Sequence, residues 1–182
     1  MRFLLFSGSF HSSSRSLIVL KAIGTFLEGH ALETPKLNEL PFFCEDLNKD
    51  KPELIKTFLE NVESADGIIC CTPEYNHSIP AVLKNALDWA SRPAFNSPLK
   101  GKPVSIVTQA VSPVGGARAQ AHLKLVLDST LSEIHLCHEM MVTDIDKVIA
   151  EGRVVDTKVL GRLERHCKDF IRFVEMRRQL IR

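Results

Sequence analysis

The 182-residue chain carries almost no surplus charge of either sign: 23 basic side chains against 22 acidic ones leave +1 at neutral pH. Bulk electrostatics therefore recruit neither nucleic acid nor an acidic membrane surface. No apolar run approaches the roughly 18 to 20 residues needed to cross a bilayer. The first residues lack a basic segment followed by an apolar stretch and a small-residue cleavage site, so a cytoplasmic protein is expected. The five cysteines (Cys44, Cys70, Cys71, Cys137, Cys167) form no C-x-x-C pair. Their odd number, in a chain long enough to need no staples, points to reduced thiols. Also missing are G-x-G-x-x-G, G-K-[ST] and G-x-S-x-G, which removes the dinucleotide fingerprint, the P-loop and the hydrolase elbow. No repeat, low-complexity tract or break in composition divides the sequence, and residues 1–182 read as a single domain.

What is present is a regular alternation. Phe3 to Phe6, Ile68 to Cys71 and Val104 to Val107 are short apolar runs bounded by turn residues, the pattern of strands covered on both faces. Weaker strands are expected at His30 to Thr34 and Glu133 to Leu136. Helical patterns separate them at Ser14 to Leu27, Pro52 to Ser64, Pro80 to Ala90, Gly116 to Ser129 and Asp156 to Arg178. Pro52 and Pro80 stand at helix starts, where a missing N–H costs nothing. Five strand and helix alternations imply an α/β fold, with parallel strands joined by right-handed crossovers and helices on both sheet faces. In such sheets ligands bind beyond the carboxyl ends of the strands.

Three loops at those ends stand out. The first, Ser7-Gly8-Ser9-Phe10-His11-Ser12-Ser13-Ser14-Arg15-Ser16, sets six hydroxyls and several amides at a helix start. That composition suits a phosphate cradle, and equally a serine-rich capping turn, because Ser14 is a good N-cap in any helix. His11 either complements a phosphate or is an ordinary surface histidine. The second loop is Thr72-Pro73-Glu74-Tyr75-Asn76-His77-Ser78-Ile79-Pro80, and the third runs from Gln109 to Gly116.

The Pro73-Glu74-Tyr75-Asn76 loop, then Pro80 and Leu83-Lys84-Asn85-Ala86-x-Asp88-Trp89-x-Ser91-Arg92, resembles the NAD(P)H-dependent FMN reductase family of flavodoxin-like proteins. That family includes bacterial quinone and chromate reductases and relatives acting on azo compounds. The likeness extends to Gly8-Ser9 with Ser14, Leu40-Pro41 before Phe42-Phe43, Gly101-Lys102-Pro103 and Gly115-Gly116-Ala117-Arg118, and it fades after about Leu127. It implies a three-layer α/β/α sandwich with a five-stranded parallel sheet in the order 2-1-3-4-5. It also implies FMN as cofactor, NADPH or NADH as electron donor, and a small-molecule acceptor such as a quinone, chromate or an azo compound. On this likeness Ser9, His11, Ser14, Arg15 and Ser16 hold the FMN phosphate. Pro73, Glu74, Tyr75 and Asn76 lie along the isoalloxazine edge, largely through backbone contacts, and Gln109, Gly115 and Gly116 approach the ring from the other side. The amides that open the helix after Gly116 would then meet the charge of reduced flavin. His11 and Ser16 stand where the family often has arginine and asparagine, which implies a weaker or more pH-dependent hold on the phosphate. No side chain is expected to act as a catalytic acid or base.

The likeness further implies a homodimer or homotetramer, with the helix from Leu83 to Trp89 near the partner, since an exposed Trp89 beside Leu87 is an apolar liability. The alternative is a flavin-binding carrier or sensor serving a protein partner, but carriers of this fold tend to be strongly acidic and this chain is not. A metal is not expected. On a strand His135 and Cys137 would face one way and His138 the other, with His166 and Cys167 far along the chain. Arg162 to Arg182 holds seven basic and three acidic side chains, which fits cations offsetting the dipole of a terminal helix better than a nucleic-acid or lipid surface.

Overall fold

A computed structural model describes residues 1–180. In chain order the elements are β1 (Arg2–Ser7), α1 (Arg15–Thr25), β2 (Ala31–Glu33), a 3-10 turn (Leu37–Glu39), α2 (Glu45–Lys49), α3 (Glu53–Ser64), β3 (Gly67–Pro73) and α4 (Ala81–Ala90). They continue as β4 (Pro103–Gln109), α5 (Ala117–Ser129), β5 (Glu133–Ile134), β6 (Met140–Val142), α6 (Ile145–Val148), β7 (Ile149–Ala150), β8 (Arg153–Val154) and α7 (Thr157–Leu180). The main sheet runs β2-β1-β3-β4-β5, all pairs parallel, with β6 also on the outer edge of β4. The expected order and layers are therefore present. The fifth position is shared by two short pieces because the chain leaves the ladder after Ile134 and rejoins it at Met140.

Alternation along the strands builds two cores. Leu4, Phe6, Ile68, Cys70, Val104 and Ile106 point to one face, under α3, α4 and α5. Phe3, Leu5, Ile69, Cys71 and Val107 point to the other, under α1 and α7. Each large apolar side chain withdrawn from water this way contributes about 1.5 to 3 kcal/mol before entropy is subtracted. Strands β1, β3 and β4 read as unbroken apolar runs because both of their faces are covered. Pro52 and Pro80 serve as N-caps, one residue ahead of the helices they open.

Trp89 corrects one expectation. It is fully buried within its own chain, its indole N–H donates to the Pro41 carbonyl (2.8 Å), and the Phe43 ring meets it edge-on. No partner is needed to cover it. Asn85 secures the same loop: its side-chain oxygen accepts from the Phe43 amide (2.7 Å) and its NH2 donates to the Pro41 carbonyl (3.0 Å). Lys84 and Asp88 pair one turn apart on α4. The Leu-Lys-Asn-Ala-x-Asp-Trp pattern is thus a tie between α4 and residues 40–43. Among the described residues no helix is long and apolar enough to cross a membrane.

Candidate active site

Parallel pairing brings the carboxyl ends of β1, β3 and β4 to one sheet edge, with Ser7 opposite Cys71 and Pro73 opposite Gln109. The three loops that follow enclose a cleft of about 450 Å³, a size ordinary for small-ligand sites. Of the expected site residues, Ser9, His11, Ser14, Arg15, Pro73, Glu74, Tyr75, Gln109 and Gly116 line it. Ser16, Asn76 and Gly115 do not.

The first loop is shaped by its own hydroxyls. Ser7 Oγ (2.7 Å) and Ser14 Oγ (2.8 Å) both donate to the Ser9 carbonyl, while Ser14 Oγ also accepts from the Leu17 amide and so caps α1. Ser14 is therefore committed to shaping the loop, and its proton is already engaged. Ser16 is fully buried beneath the cradle, where its hydroxyl accepts from Gln109 Nε2 (3.2 Å) and joins the first loop to the third. His11 Nδ1 accepts the Ser13 amide (3.1 Å), which ties the ring to the turn that precedes α1. Arg15 directs its guanidinium to Asp146 (2.6 Å).

Among the described residues the amides of Phe10, His11, Ser12, Arg15 and Ser16 have no acceptor, and neither do the hydroxyls of Ser9 and Ser13. Unmet amides and hydroxyls around a helix start are the donor set an anionic phosphate fits. Ser13 was not singled out by the sequence reading, although it lies in the same serine run.

The second loop closes on a two-residue turn. Tyr75 and Ser78 exchange both backbone bonds at 2.9 Å, and Asn76 and His77 have φ of 48° and 65°. That is a type I′ turn, and asparagine tolerates its left-handed first position. Asn76 thus belongs to the turn. Tyr75 is 54 % exposed at the cleft.

Glu74 has a role the sequence reading did not assign. Its carboxylate accepts from Arg118 Nε (2.6 Å), the Arg118 amide (3.0 Å) and the Ala119 amide (3.3 Å). It caps α5 from outside, because the helix's own N-cap is Gly116, which has no side chain. The Ala117 amide is taken by the Val114 carbonyl. The opening amides of α5, expected to meet reduced flavin, are therefore already engaged within the chain. Burial pushes the Glu74 carboxyl up, but the Arg118 side chain and the two amides outweigh it and hold the group below its ordinary 4.5. A depressed carboxyl stabilises the fold above its unfolded value and loses that contribution as pH falls through the folded value. Replacing Glu74 by Gln is expected to lower stability at pH 7 by about 1 to 2 kcal/mol. The deficit should shrink in thermal melts run below pH 4.5, and a uniform deficit across pH would contradict the capping role.

The third loop is tied down by Thr108, whose hydroxyl donates to the Gly115 carbonyl (2.8 Å) and reaches Gln120 Oε1 (3.0 Å). Gly116 has φ of 82° and would place a Cβ 3.0 Å from Thr108 Cβ, so this approach requires glycine. Ala110, Val111 and Ser112 complete the wall. Cys70 and Cys71 lie under the site as inert thiols. Burial pushes Cys70 up to about 12, and it raises Cys71 as well.

A second cluster departs from expectation. His135 and His166 both reach Ser105 Oγ, at 3.1 and 2.7 Å, and Cys137 Sγ lies 3.7 Å from His166 Nδ1. The two histidines and the cysteine do form a compact set, because α7 returns His166 to the end of β5. Burial lowers His135 and brings His166 down to about 4.

The model of a family described as NADPH-dependent FMN reductase matches residues 1–144. A 2-hydroxy-1,4-benzoquinone reductase from a Burkholderia species is 38% identical over 145 residues, 76% of each chain. A quinone reductase from Escherichia coli is 34% identical over 145 residues, 78% of this chain and 77% of that one. Among solved structures, the flavoenzyme NAD(P)H:(acceptor) oxidoreductase FerB from Paracoccus denitrificans superposes with a TM-score of 0.89 at 29% identity, covering 97% of this chain and 98% of that one.

Proposed function

The chain belongs to the NADPH-dependent FMN reductase family, and from that premise we propose that it oxidises NAD(P)H and delivers the electrons to a quinone at the three-loop cleft. The observation that carries this reading is the cleft itself, with unmet amides and hydroxyls on one loop and exposed apolar side chains on the other two. FMN bound there supplies the hydride and electron chemistry.

The chain's own part is to bind and orient. The amides of residues 10–12, 15 and 16, with the Ser9 and Ser13 hydroxyls and the His11 imidazole, hold a phosphate. Tyr75 and Val111, 54 % and 60 % exposed, offer apolar surface to a planar ring from two different loops. Glu74 is the sole carboxylate among the described residues lining the cleft, and Arg118 neutralises it. An anionic group thus meets no free negative charge, and Glu74 acts by holding the second loop against α5.

A quinone is favoured as acceptor by the two quinone-reducing relatives, and the exposed Tyr75 and Val111 of the second and third loops suit a flat neutral ring better than an oxyanion such as chromate. The test is steady-state oxidation of NADH and NADPH by the FMN-loaded protein with a 1,4-benzoquinone, chromate or an azo dye. The quinone is expected to give a kcat/KM at least about tenfold above the others. Preference for chromate or the azo dye would overturn the acceptor assignment. We also infer a homo-oligomer, now on the exposed Phe42 and Phe95 rather than on Trp89. Sedimentation of the active protein as a monomer would refute it.

A further inference from the structure

We propose that His135, Cys137 and His166 form a binding site for a borderline-soft transition-metal ion such as Zn2+, separate from the flavin cleft. The site begins with a polar residue in an apolar place. Ser105 sits on the α7 face of β4, two residues before the core residue Val107, and is fully buried. Its hydroxyl is met by both imidazoles, through His135 Nδ1 (3.1 Å) and His166 Nε2 (2.7 Å). Both histidines are nearly buried, at 7 % and 6 % exposed, and their rings stand 5.4 Å apart between centroids.

Ser105 fixes His166 so that Nε2 faces the sheet and Nδ1 faces Cys137 Sγ at 3.7 Å. A metal-bound histidine has its other ring nitrogen held by an outer oxygen partner, and the Ser105 hydroxyl takes that place here. Tetrahedral bonds of about 2.3 Å to sulfur and 2.0 to 2.1 Å to nitrogen place S and N about 3.5 Å apart. The observed separation needs a change of only a few tenths of an ångström. One ligand atom from each of the three residues lies within 4.8 Å of the others.

The backbone explains how the set assembles. His135 keeps its ladder bond to the Val104 carbonyl (2.8 Å), the chain then leaves the sheet until Met140, and that detour carries Cys137 outward to meet α7. The cluster opens on a cleft of about 590 Å³ also lined by Asp169, so a fourth position is accessible to solvent. Two imidazoles and a thiolate with one open position are a donor set for Zn2+, Co2+ or Cu+ and not for Mg2+ or Ca2+. Binding displaces the Cys137 thiol proton to solvent and forms the metal–sulfur bond, with no change of oxidation state. Ser105 and Gln109 are four residues apart on β4, about 13 Å along the strand, which separates this cluster from the flavin cleft.

The competing role, a hydrogen-bonded tie between α7 and the sheet, requires neither Cys137 nor a metal. The deciding experiment titrates Co2+ into chelator-treated, FMN-loaded protein and records absorbance at the red end, where flavin is transparent. One Co2+ per chain should give tetrahedral d–d bands that Zn2+ removes. Cys137→Ser, at an exposed position, should lose the bands and weaken Zn2+ binding by about 100-fold. Cys44→Ser, at the other exposed cysteine, should keep both. Absence of red bands at one equivalent of Co2+, or their persistence in Cys137→Ser with flavin content intact, would overturn the site.

Discussion

Replacing Ser9 by Asp should lower FMN affinity by about 100-fold and leave the melting temperature of the apoprotein unchanged. The Ser9 hydroxyl lines the cleft and has no partner among the described residues, whereas the Ser9 carbonyl holds the loop together by accepting from Ser7 and Ser14. The substitution therefore removes no bond that shapes the cradle. It adds a negative charge beside the proposed phosphate position. At about 5 Å and an effective dielectric constant near 20, each unit of repulsion costs about 3 kcal/mol. Partial solvation of an open cleft reduces that to the roughly 2.7 kcal/mol that a 100-fold loss represents. Equilibrium dialysis reads the affinity directly, and unchanged binding would move the phosphate to another loop.

Gly8→Ala should both destabilise the fold and abolish flavin retention. A Cβ at this position would lie 2.1 Å from Thr72 Oγ1, 2.7 Å from Thr72 Cβ and 3.0 Å from Thr72 Cα. Rotating the Thr72 side chain relieves only the first of these contacts. The Gly8 backbone cannot retreat freely, because its amide donates to the Cys71 carbonyl (2.8 Å). Overpacking of this kind costs about 3 kcal/mol, and the strain falls where the first and second loops leave the sheet. Urea unfolding should show a lower midpoint with an unchanged slope. A midpoint and flavin content equal to those of the parent would contradict the close approach on which the cleft depends.

The parts of this molecule that were legible in the sequence are those fixed by local pattern. Phe3 to Phe6, Ile68 to Cys71 and Val104 to Val107 announce buried parallel strands because both faces are covered, and the loops after them announce a site because ligands bind at those ends. Other features depend on contacts between distant residues. Trp89 looked like an interface residue until residues 40–43 were seen folded across it. The place of Glu74 in the second loop was legible, but not that its carboxylate lies against Arg118 and Ala119, more than 40 positions away in sequence. Asn76 carried a motif signal whose cause is a left-handed turn. The same holds for His135 and His166, joined by Ser105 only once α7 has docked on β4.

The central claim is that one cleft, bounded by the three loops, serves electron donor and acceptor in turn. With FMN in this cleft as proposed, donor and acceptor reach the ring from the side bordered by Tyr75 and Val111, so oxidised nicotinamide must depart before the quinone enters. Initial rates with the FMN-loaded protein, measured against NADPH at several fixed quinone concentrations, should give parallel lines in double-reciprocal form. Lines that intersect to the left of the vertical axis would show donor and acceptor bound together and contradict the shared cleft.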